Sequence, residues 1–450
     1  MSASSQRVQP APTLRFVGAC DALDLAIARV LFDRTGEAGD GAALRDAVSR
    51  IISRVRCDGD RALRELAAEF DGVTLETLEV PRACWTQALE ALDPAVRRAM
   101  ERAAHNIERV HGAFLPVAVE TESEPGVTVG RRPDPLERVG VYAPGGRAAY
   151  PSSVLMGVIP ARVAGVAEVS VCSPPSGGTR LPSPAVLAAA ALAGADRVFA
   201  IGGAGAVAAM AYGTETIGRV DRVVGPGNAY VAEAKAQVAS AVGIDSPAGP
   251  SELLVLCDGA CDPVLVAREM LAQAEHDPLA AVVAVTVGEP HARAVVAALE
   301  AQLPSQPRAA IAAAALRGQG AVLWSTGTEE AIAFANRYAA EHLLLLASNA
   351  DAILPRLRNA GTVFVGPSSS VAFGDYMTGA NHVLPTGGLA RVYSGLSTGD
   401  FVRWTTWQRV TPDAAARLAA DTSAFAEAEG LGGHALAARS WMPALQQVKL

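Results

Sequence analysis

The stretch Val139-Gly140-Val141-Tyr142-Ala143-Pro144-Gly145-Gly146 decides the fold. Four strand-forming residues run into a turn whose glycines and proline bend the chain sharply or bring backbone close to a ligand. Working outward, further strands are expected at 169–172, 197–201 and 220–224, separated by Ala-rich helical stretches. Apolar strands alternating with helices are the pattern of a parallel sheet covered by helices. After Ala248 and the run Gly249-Pro250-Ser251-Glu252 the alternation resumes. Strands are expected at 253–257, 281–287, 321–324, 343–346 and 362–365, with helices between them. The expected fold is α/β, with two related units and helical ends, since the pattern over residues 21–114 is helical. In open sheets of this kind ligands bind outside the carboxyl ends of the strands, so the turns there are the expected place for chemistry.

At 450 residues, half of them hydrophobic, the chain has enough length for two or more domains. A net charge of -8 and the absence of any Lys or Arg run argue against a nucleic-acid backbone or a membrane surface as partner. The apolar stretches are broken by Gly, Pro and charge, and residues 1–12, rich in Ser, Gln and Pro, lack a signal-peptide core. The expected compartment is the cytoplasm. Six cysteines (Cys20, Cys57, Cys84, Cys172, Cys257, Cys261) show no CxxC pair and no regular spacing, so they are read as small buried hydrophobes. Of seven histidines, His105 and His111 sit among Arg and Glu on a helical stretch and are read as surface residues. His276, His342, His382 and His434 each stand in an unusual local sequence.

Two glycine-rich turns invite a phosphate or dinucleotide. Gly203-Ala204-Gly205-Ala206-Val207-Ala208 follows a strand and opens a helix, with Asp221 at about the distance of a ribose-binding acid. In so Ala- and Gly-rich a chain, tight packing of a helix explains such a run equally well. Gly225-Pro226-Gly227-Asn228 also follows a strand, where backbone amides and Asn228 could meet phosphate or ribose. Neither turn has the GK[ST] of a nucleotide triphosphatase.

Further along, Asp262 is placed to cap a helix and Pro263 to start it, and Gln273 and His276, three apart, share a face at its end. Alone they are a polar helix end. The segment 374–385 is too rich in Gly and polar residues for a core element and is read as an active-site loop; 413–428 is an amphipathic helix, followed by Glu429 and His434. Gln273, His276, Asp375 and His434 together offer two imidazoles, a carboxylate and an amide oxygen, a donor set that suits zinc. Glu341 and His342 are an adjacent acid and imidazole suited to proton transfer, and His382 and Glu429 stand beside them as further polar groups.

Gly249-Pro250-Ser251-Glu252, Gln273-Ala274-Glu275-His276, Glu341-His342-Leu343, Gly374-Asp375-Tyr376, Asn381-His382-Val383-Leu384-Pro385-Thr386 and Glu429-Gly430-Leu431 with His434 resemble, in order, the motifs of the histidinol dehydrogenase family. The resemblance runs from about Val139 to His434. It implies two related incomplete Rossmann-like domains with helical N- and C-terminal extensions. The implied division is an arm and helix over 1–36, a metal and substrate domain over 37–141 and 251–395, an NAD-binding domain over 142–250, and a C-terminal helical tail over 396–450. It further implies oxidation of L-histidinol to L-histidine through histidinal with two NAD, and one zinc ion per subunit held by Gln273, His276, Asp375 and His434. His342 is implied as the base for the hydroxyl proton and Glu341 as the activator of water. Ser251, His382 and Glu429 are implied substrate contacts, joined by the metal ligands and His342, and Tyr142, Gly205 and Asn228 are implied cofactor contacts. A homodimer is implied too, in which the tail, with Glu429 and His434, serves the other subunit.

Three positions depart from the family pattern: Gly205 for a common Gln, Val371 for a common Glu ahead of Gly374-Asp375-Tyr376, and Ala340 for a common Pro. They leave a second reading, a paralogue oxidising another small polar alcohol such as a sulfonated diol to its acid. A zinc hydrolase, with Glu341 or Glu275 activating water, lacks HExxH-type spacing and leaves the Gly-rich turns unused.

Overall fold

A computed structural model of the chain describes residues 13–23, 25–32, 34, 41–145, 149–247 and 249–442. The arm expected over residues 1–12, Gly146 and Ala248 lie outside the described residues. The chain divides into two compact units, a large one within Met1–Phe114 and Leu136–Phe401 and a small one within Leu115–Pro135 and Val402–Leu450.

The large unit holds two parallel sheets. One has six strands in the order β1-β11-β10-β9-β12-β13: β1 (Phe16–Ala19), β9 (Glu252–Cys257), β10 (Ala281–Val287), β11 (Gly320–Ser325), β12 (His342–Leu346) and β13 (Thr362–Val365). The other has five in the order β6-β5-β4-β7-β8: β4 (Arg138–Tyr142), β5 (Glu168–Cys172), β6 (Arg197–Phe199), β7 (Arg222–Val224) and β8 (Gly243–Ile244). Every residue of β9 is buried. Its alternate side chains enter different cores, Leu253 and Val255 on one face and Leu254 and Leu256 on the other, because successive Cβ atoms of a strand point to opposite faces. Helices cover both faces, which is why the strands read as unbroken apolar runs rather than alternating ones. The α/β architecture expected from the sequence is the one observed.

The small unit is an antiparallel sheet, β14-β3-β2, formed by β2 (Val119–Glu124), β3 (Val127–Pro135) and β14 (Val402–Val410), with helices Pro412–Ala428 and Gly432–Arg439. The tail expected to be helical therefore opens with a strand. It pairs with β3 from Val402↔Pro135 to Val410↔Val127, a partner far away in sequence that no local pattern announces. Thr411 then caps the helix expected over 413–428. Val117, Phe425 and Leu436 of this unit are 70, 71 and 66% exposed. Among the described residues no helix is long and apolar enough to cross a membrane.

Two expectations fail here, and a third in part: Cys57, read as buried, is exposed. Cys257 and Cys261 are disulfide-bonded rather than independent core residues, because the turn after β9 returns Cys261 beside the strand's last residue. His111, read as a surface residue, is 1% exposed on the helix Pro94–Ala113, and neither ring nitrogen has a hydrogen-bond partner. Burial pushes its pKa down from 6.5 to about 4. The unfolded chain therefore takes up a proton that the folded one refuses, and stability falls as pH drops from 6.5 towards 4. The loss attributable to this one residue is at most roughly 3 kcal/mol. Urea denaturation of His111→Leu should show that much less loss between those pH values than the unsubstituted chain; parallel pH profiles would reject the assignment.

Candidate active site

The helix Pro263–Ala274 forms as its sequence dictates, with Asp262 accepting from the Val264 amide at 2.9 Å and Pro263 in the first turn. It leaves the carboxyl end of β9 and runs back along the sheet. Gln273, buried in its last turn, and His276, half-buried just beyond, are thus delivered to the amino ends of the strands. There β12 opens with His342, preceded by Glu341, and β9 opens with Glu252, preceded by Ser251. The chemistry in this sheet gathers at the amino ends of β9 and β12, contrary to the carboxyl-end expectation. The cause is that its residues lie where the chain enters strands or where a returning helix stops.

His342 lies with Nδ1 2.9 Å from the Glu252 carbonyl oxygen, to which Nδ1–H donates. In the neutral ring this fixes Nε2 as the basic nitrogen. Nε2 is buried without a hydrogen-bond partner, and Asp375 Oδ1, 3.6 Å away, is an ion-pair neighbour rather than a hydrogen-bond acceptor. Glu341 Oε2 accepts from the Glu252 amide at 2.7 Å and lies 3.4 Å from His342 Nδ1. Burial opposes charge on His342, but Glu341 and Asp375 outweigh it and hold the pKa up, at about 10. Burial raises the Glu341 carboxyl as well. Asp375 would also be raised by burial, yet His342, His382 and His276 bring it below its ordinary value. Burial lowers both His276 and His382.

Asp375 stands at the end of a short helix, Val371–Tyr376, so Gly374 to Tyr376 are helical and the expected loop begins only after them. Along that loop His382 turns Nδ1 to the Asp375 carbonyl oxygen at 3.0 Å and Nε2 to Ser153 Oγ at 3.4 Å. Ser153 belongs to the helix Pro151–Val163, which follows β4, and Asn381 donates to the Met156 carbonyl of the same helix at 2.8 Å. The loop therefore joins the amino ends of the six-stranded sheet to the carboxyl side of the five-stranded one.

Two carboxylates that the sequence reading gave no role build this frame. Glu252, 1% exposed, takes two hydrogen bonds from Arg34, at 2.8 and 3.1 Å, and one from the Gly387 amide at 2.7 Å. A lone acid at the head of an otherwise apolar strand was the available signal for it. Glu269, one turn before Gln273, accepts from Ser370 Oγ and the Val371 amide, both at 3.1 Å, and so ties the Gln273 helix to the start of the Asp375 helix. Val371 itself is buried among the apolar residues beside Val266 and Met270. Ala339, two residues before Glu341, is the one non-glycine among the described residues with positive φ, at 54°.

In the five-stranded sheet the Gly-rich turns do lie at carboxyl ends. Tyr142 closes β4, is buried, and accepts from the Gly203 amide at 3.1 Å; burial pushes its pKa up to about 12. Gly225, at φ 118°, cannot be replaced without clash, since a Cβ there would sit 2.1 Å from the Tyr142 carbonyl oxygen. Asn228 Oδ1 caps the helix Ala229–Val238 by accepting from Tyr230 and Val231 amides at 3.1 and 3.2 Å. Gly205 turns the side that would carry its Cβ toward Leu63 and Leu66, so the packing reading applies to it. Asp221 is not near this turn: its Oδ2 accepts from Glu137 and Arg138 amides at 2.9 Å, at the amino end of β4, which removes it as a ribose ligand. Glu429 and His434 lie exposed on the small unit.

Gln273, His276 and Asp375, at this end of the sheet with the unpartnered His342 Nε2, offer an amide, an imidazole and a carboxylate, donors that suit a zinc-class cation in type. A family model described as histidinol dehydrogenase matches residues 35–441. This chain belongs to the histidinol dehydrogenase family. A histidinol dehydrogenase of Natronomonas pharaonis is 51% identical over 406 residues, covering 90% of this chain and 94% of that relative. One from Methanothermobacter thermautotrophicus is 47% identical over 388 residues, covering 86% and 91%. The crystal structure of histidinol dehydrogenase from Elizabethkingia anophelis superposes with a TM-score of 0.91 at 34% identity, covering 98% of this chain and all of that one. The second reading, a sulfonated diol or other small alcohol, finds no support among these histidinol dehydrogenases.

Proposed function

We propose that this chain is an NAD- and zinc-dependent histidinol dehydrogenase that oxidises L-histidinol to L-histidine through histidinal, the last step of histidine biosynthesis. The observation that carries the reading is the orphaned Nε2 of His342 beside Asp375, with Glu341 against the same ring. Gln273, His276 and Asp375 would hold the zinc ion, with His434 as fourth ligand. When bound, the metal anchors the amine and imidazole of the substrate, and the nicotinamide accepts hydride.

In the neutral ring the Nδ1–H bond to Glu252 leaves His342 Nε2 to take the hydroxyl proton, and a cation held by Asp375 would offset the negative charge that otherwise raises the ring's pKa. Glu341, a buried carboxyl hydrogen-bonded to the Glu252 amide, takes a proton from the water that attacks the aldehyde. Ser251, His382 and Glu429 orient the substrate, and the loop carrying His382, fastened to the helix after β4, lies between metal ligands and cofactor turns. Keeping the reactive aldehyde held between two oxidations avoids its release. In this reading 142–250 binds NAD through Tyr142 and the Gly203 and Gly225 turns; Asn228, with Oδ1 in the cap, offers its amide nitrogen. Gly205 adds close packing of its helix, and residues 37–141 and 251–395 hold metal and substrate.

We further infer a cytoplasmic homodimer in which residues 396–450 bring Glu429 and His434 to a second copy. Their exposure, and that of Phe425, Leu436 and Trp441 on the same unit, supports this. Purified chain given zinc, NAD and L-histidinol should form two NADH per histidine, read at the NADH absorbance with product analysis. No NADH from histidinol would overturn the assignment.

A further inference from the structure

The strand β9 carries Glu252 at its first residue and a different set of side chains at its last. Cys257 ends the strand and is bonded to Cys261, in the turn before the helix Pro263–Ala274. His291, from the helix Glu289–Gln302, joins them, and one donor atom from each of the three side chains lies within 4.8 Å of the others. Cys257 is buried, whereas Cys261 and His291 are half-buried and open to solvent. The Gly259 amide donates to Cys257 Sγ at 3.4 Å, a contact that favours a thiolate.

The imidazole is fixed at both nitrogens. Nε2 lies 2.7 Å from the Cys261 carbonyl oxygen and 3.7 Å from its Sγ, and Nδ1 lies 2.7 Å from Thr286 Oγ1. In this state Nε2–H donates to that carbonyl oxygen and Nδ1 accepts from the Thr286 hydroxyl; because a hydroxyl can donate or accept, moving the ring proton to Nδ1 keeps the Thr286 contact and frees the Nε2 lone pair to turn from the carbonyl to the sulfurs. That is how the outer nitrogen of a metal-binding histidine is held. Two thiolates and an imidazole are donors that zinc favours, with a fourth position left for water.

We propose that Cys257, Cys261 and His291 form a redox-gated site for a zinc-class divalent cation, at the opposite end of β9 from His342. In the oxidised state the disulfide closes it. A dithiol reductant passes two electrons and two protons to the S–S bond, which breaks to two thiols while the reductant becomes a disulfide. The cation then binds both sulfurs and His291 Nε2 and displaces the two thiol protons. Either state fastens the end of β9 to the helix that ends in Gln273. The site does not depend on the function proposed above.

Cobalt(II) distinguishes it from any site built of nitrogen and oxygen, because thiolate ligation gives a sulfur-to-cobalt charge-transfer band in the near ultraviolet. The full chain, stripped with a chelator and reduced with a phosphine, should show this band saturating at the absorbance of one thiolate-bound cobalt per chain, apart from cobalt taken up by nitrogen and oxygen donors. The same chain left oxidised should show none. Cys261→Ser should abolish the band, and His291→Gln should weaken cobalt binding at this site by at least about tenfold. A reduced chain without the band overturns the proposal, as does a band that survives Cys261→Ser. Because Cys257 is buried, the half-buried Cys261 is the deciding position, and the oxidised sample controls for folding.

Discussion

Asp375→Ala should leave a folded chain that holds no zinc at the proposed site and oxidises histidinol about 10³-fold more slowly or worse. Asp375 faces His342, His276 and His382 at once, and they keep its carboxylate ionised despite burial. Removing it takes away the single anionic donor among the proposed ligands and leaves Gln273, His276 and His434, all neutral donors, to hold a cation without a counter-charge. If the metal fixes the substrate, its loss forfeits positioning worth several kcal/mol, and each 1.36 kcal/mol is about tenfold in rate. Zinc per chain by atomic emission and NADH formation are the two readouts, with cobalt at the cysteine cluster kept separate by its thiolate band. A variant with full activity and no metal would refute the ligand set. His276→Ala should behave the same way, whereas neither change should move the thermal midpoint by the amount a core deletion does, since both side chains are only half-buried.

Glu341→Gln should split the two half-reactions. Oxidation of histidinal needs a proton taken from water, and loss of a positioned base costs about 10²- to 10⁴-fold in such a step. Oxidation of the alcohol relies on His342 Nε2, whose tautomer is set by the Glu252 carbonyl and not by Glu341. It should fall less, through the changed electrostatics beside the ring. Supplying histidinol and histidinal separately and following NADH from each measures the split. Equal losses would show that Glu341 acts on both steps alike and is no dedicated water activator.

The fold was legible where local physics settles it. The strands at 253–257 and 281–287 are apolar because both faces are covered, and Asp262 and Pro263 start their helix for reasons contained in three residues. The strand Val402–Val410 was not legible, since its stability comes from pairing with β3 across more than 260 residues of chain. His111 misled because its Arg and Glu neighbours belong to the helix's outer face while it faces inward. Of the residues singled out for the site, Glu341, His342, Asp375, His276 and His382 are brought within one another's electrostatic reach. Asp221 caps a strand end instead, and Gly205 lets its helix pack closely against Leu63 and Leu66.

What the sequence by itself determined is the opening stretch's consequence: a parallel α/β chain, its turns, and a joint set of motifs specific enough to place it in the histidinol dehydrogenase family. Motifs name residue types and their order along the chain, and those survive without coordinates. Only the tertiary structure decided at which end of each sheet the candidate residues lie, that Arg34 pairs with Glu252 while the Glu252 carbonyl takes the His342 Nδ1–H, that Glu269 joins the two helices bearing Gln273 and Asp375, and that Cys257 meets Cys261 and His291. These are contacts between groups remote in sequence or on opposite sides of a turn. Their energies depend on distance, direction and burial, which the order of residues does not specify.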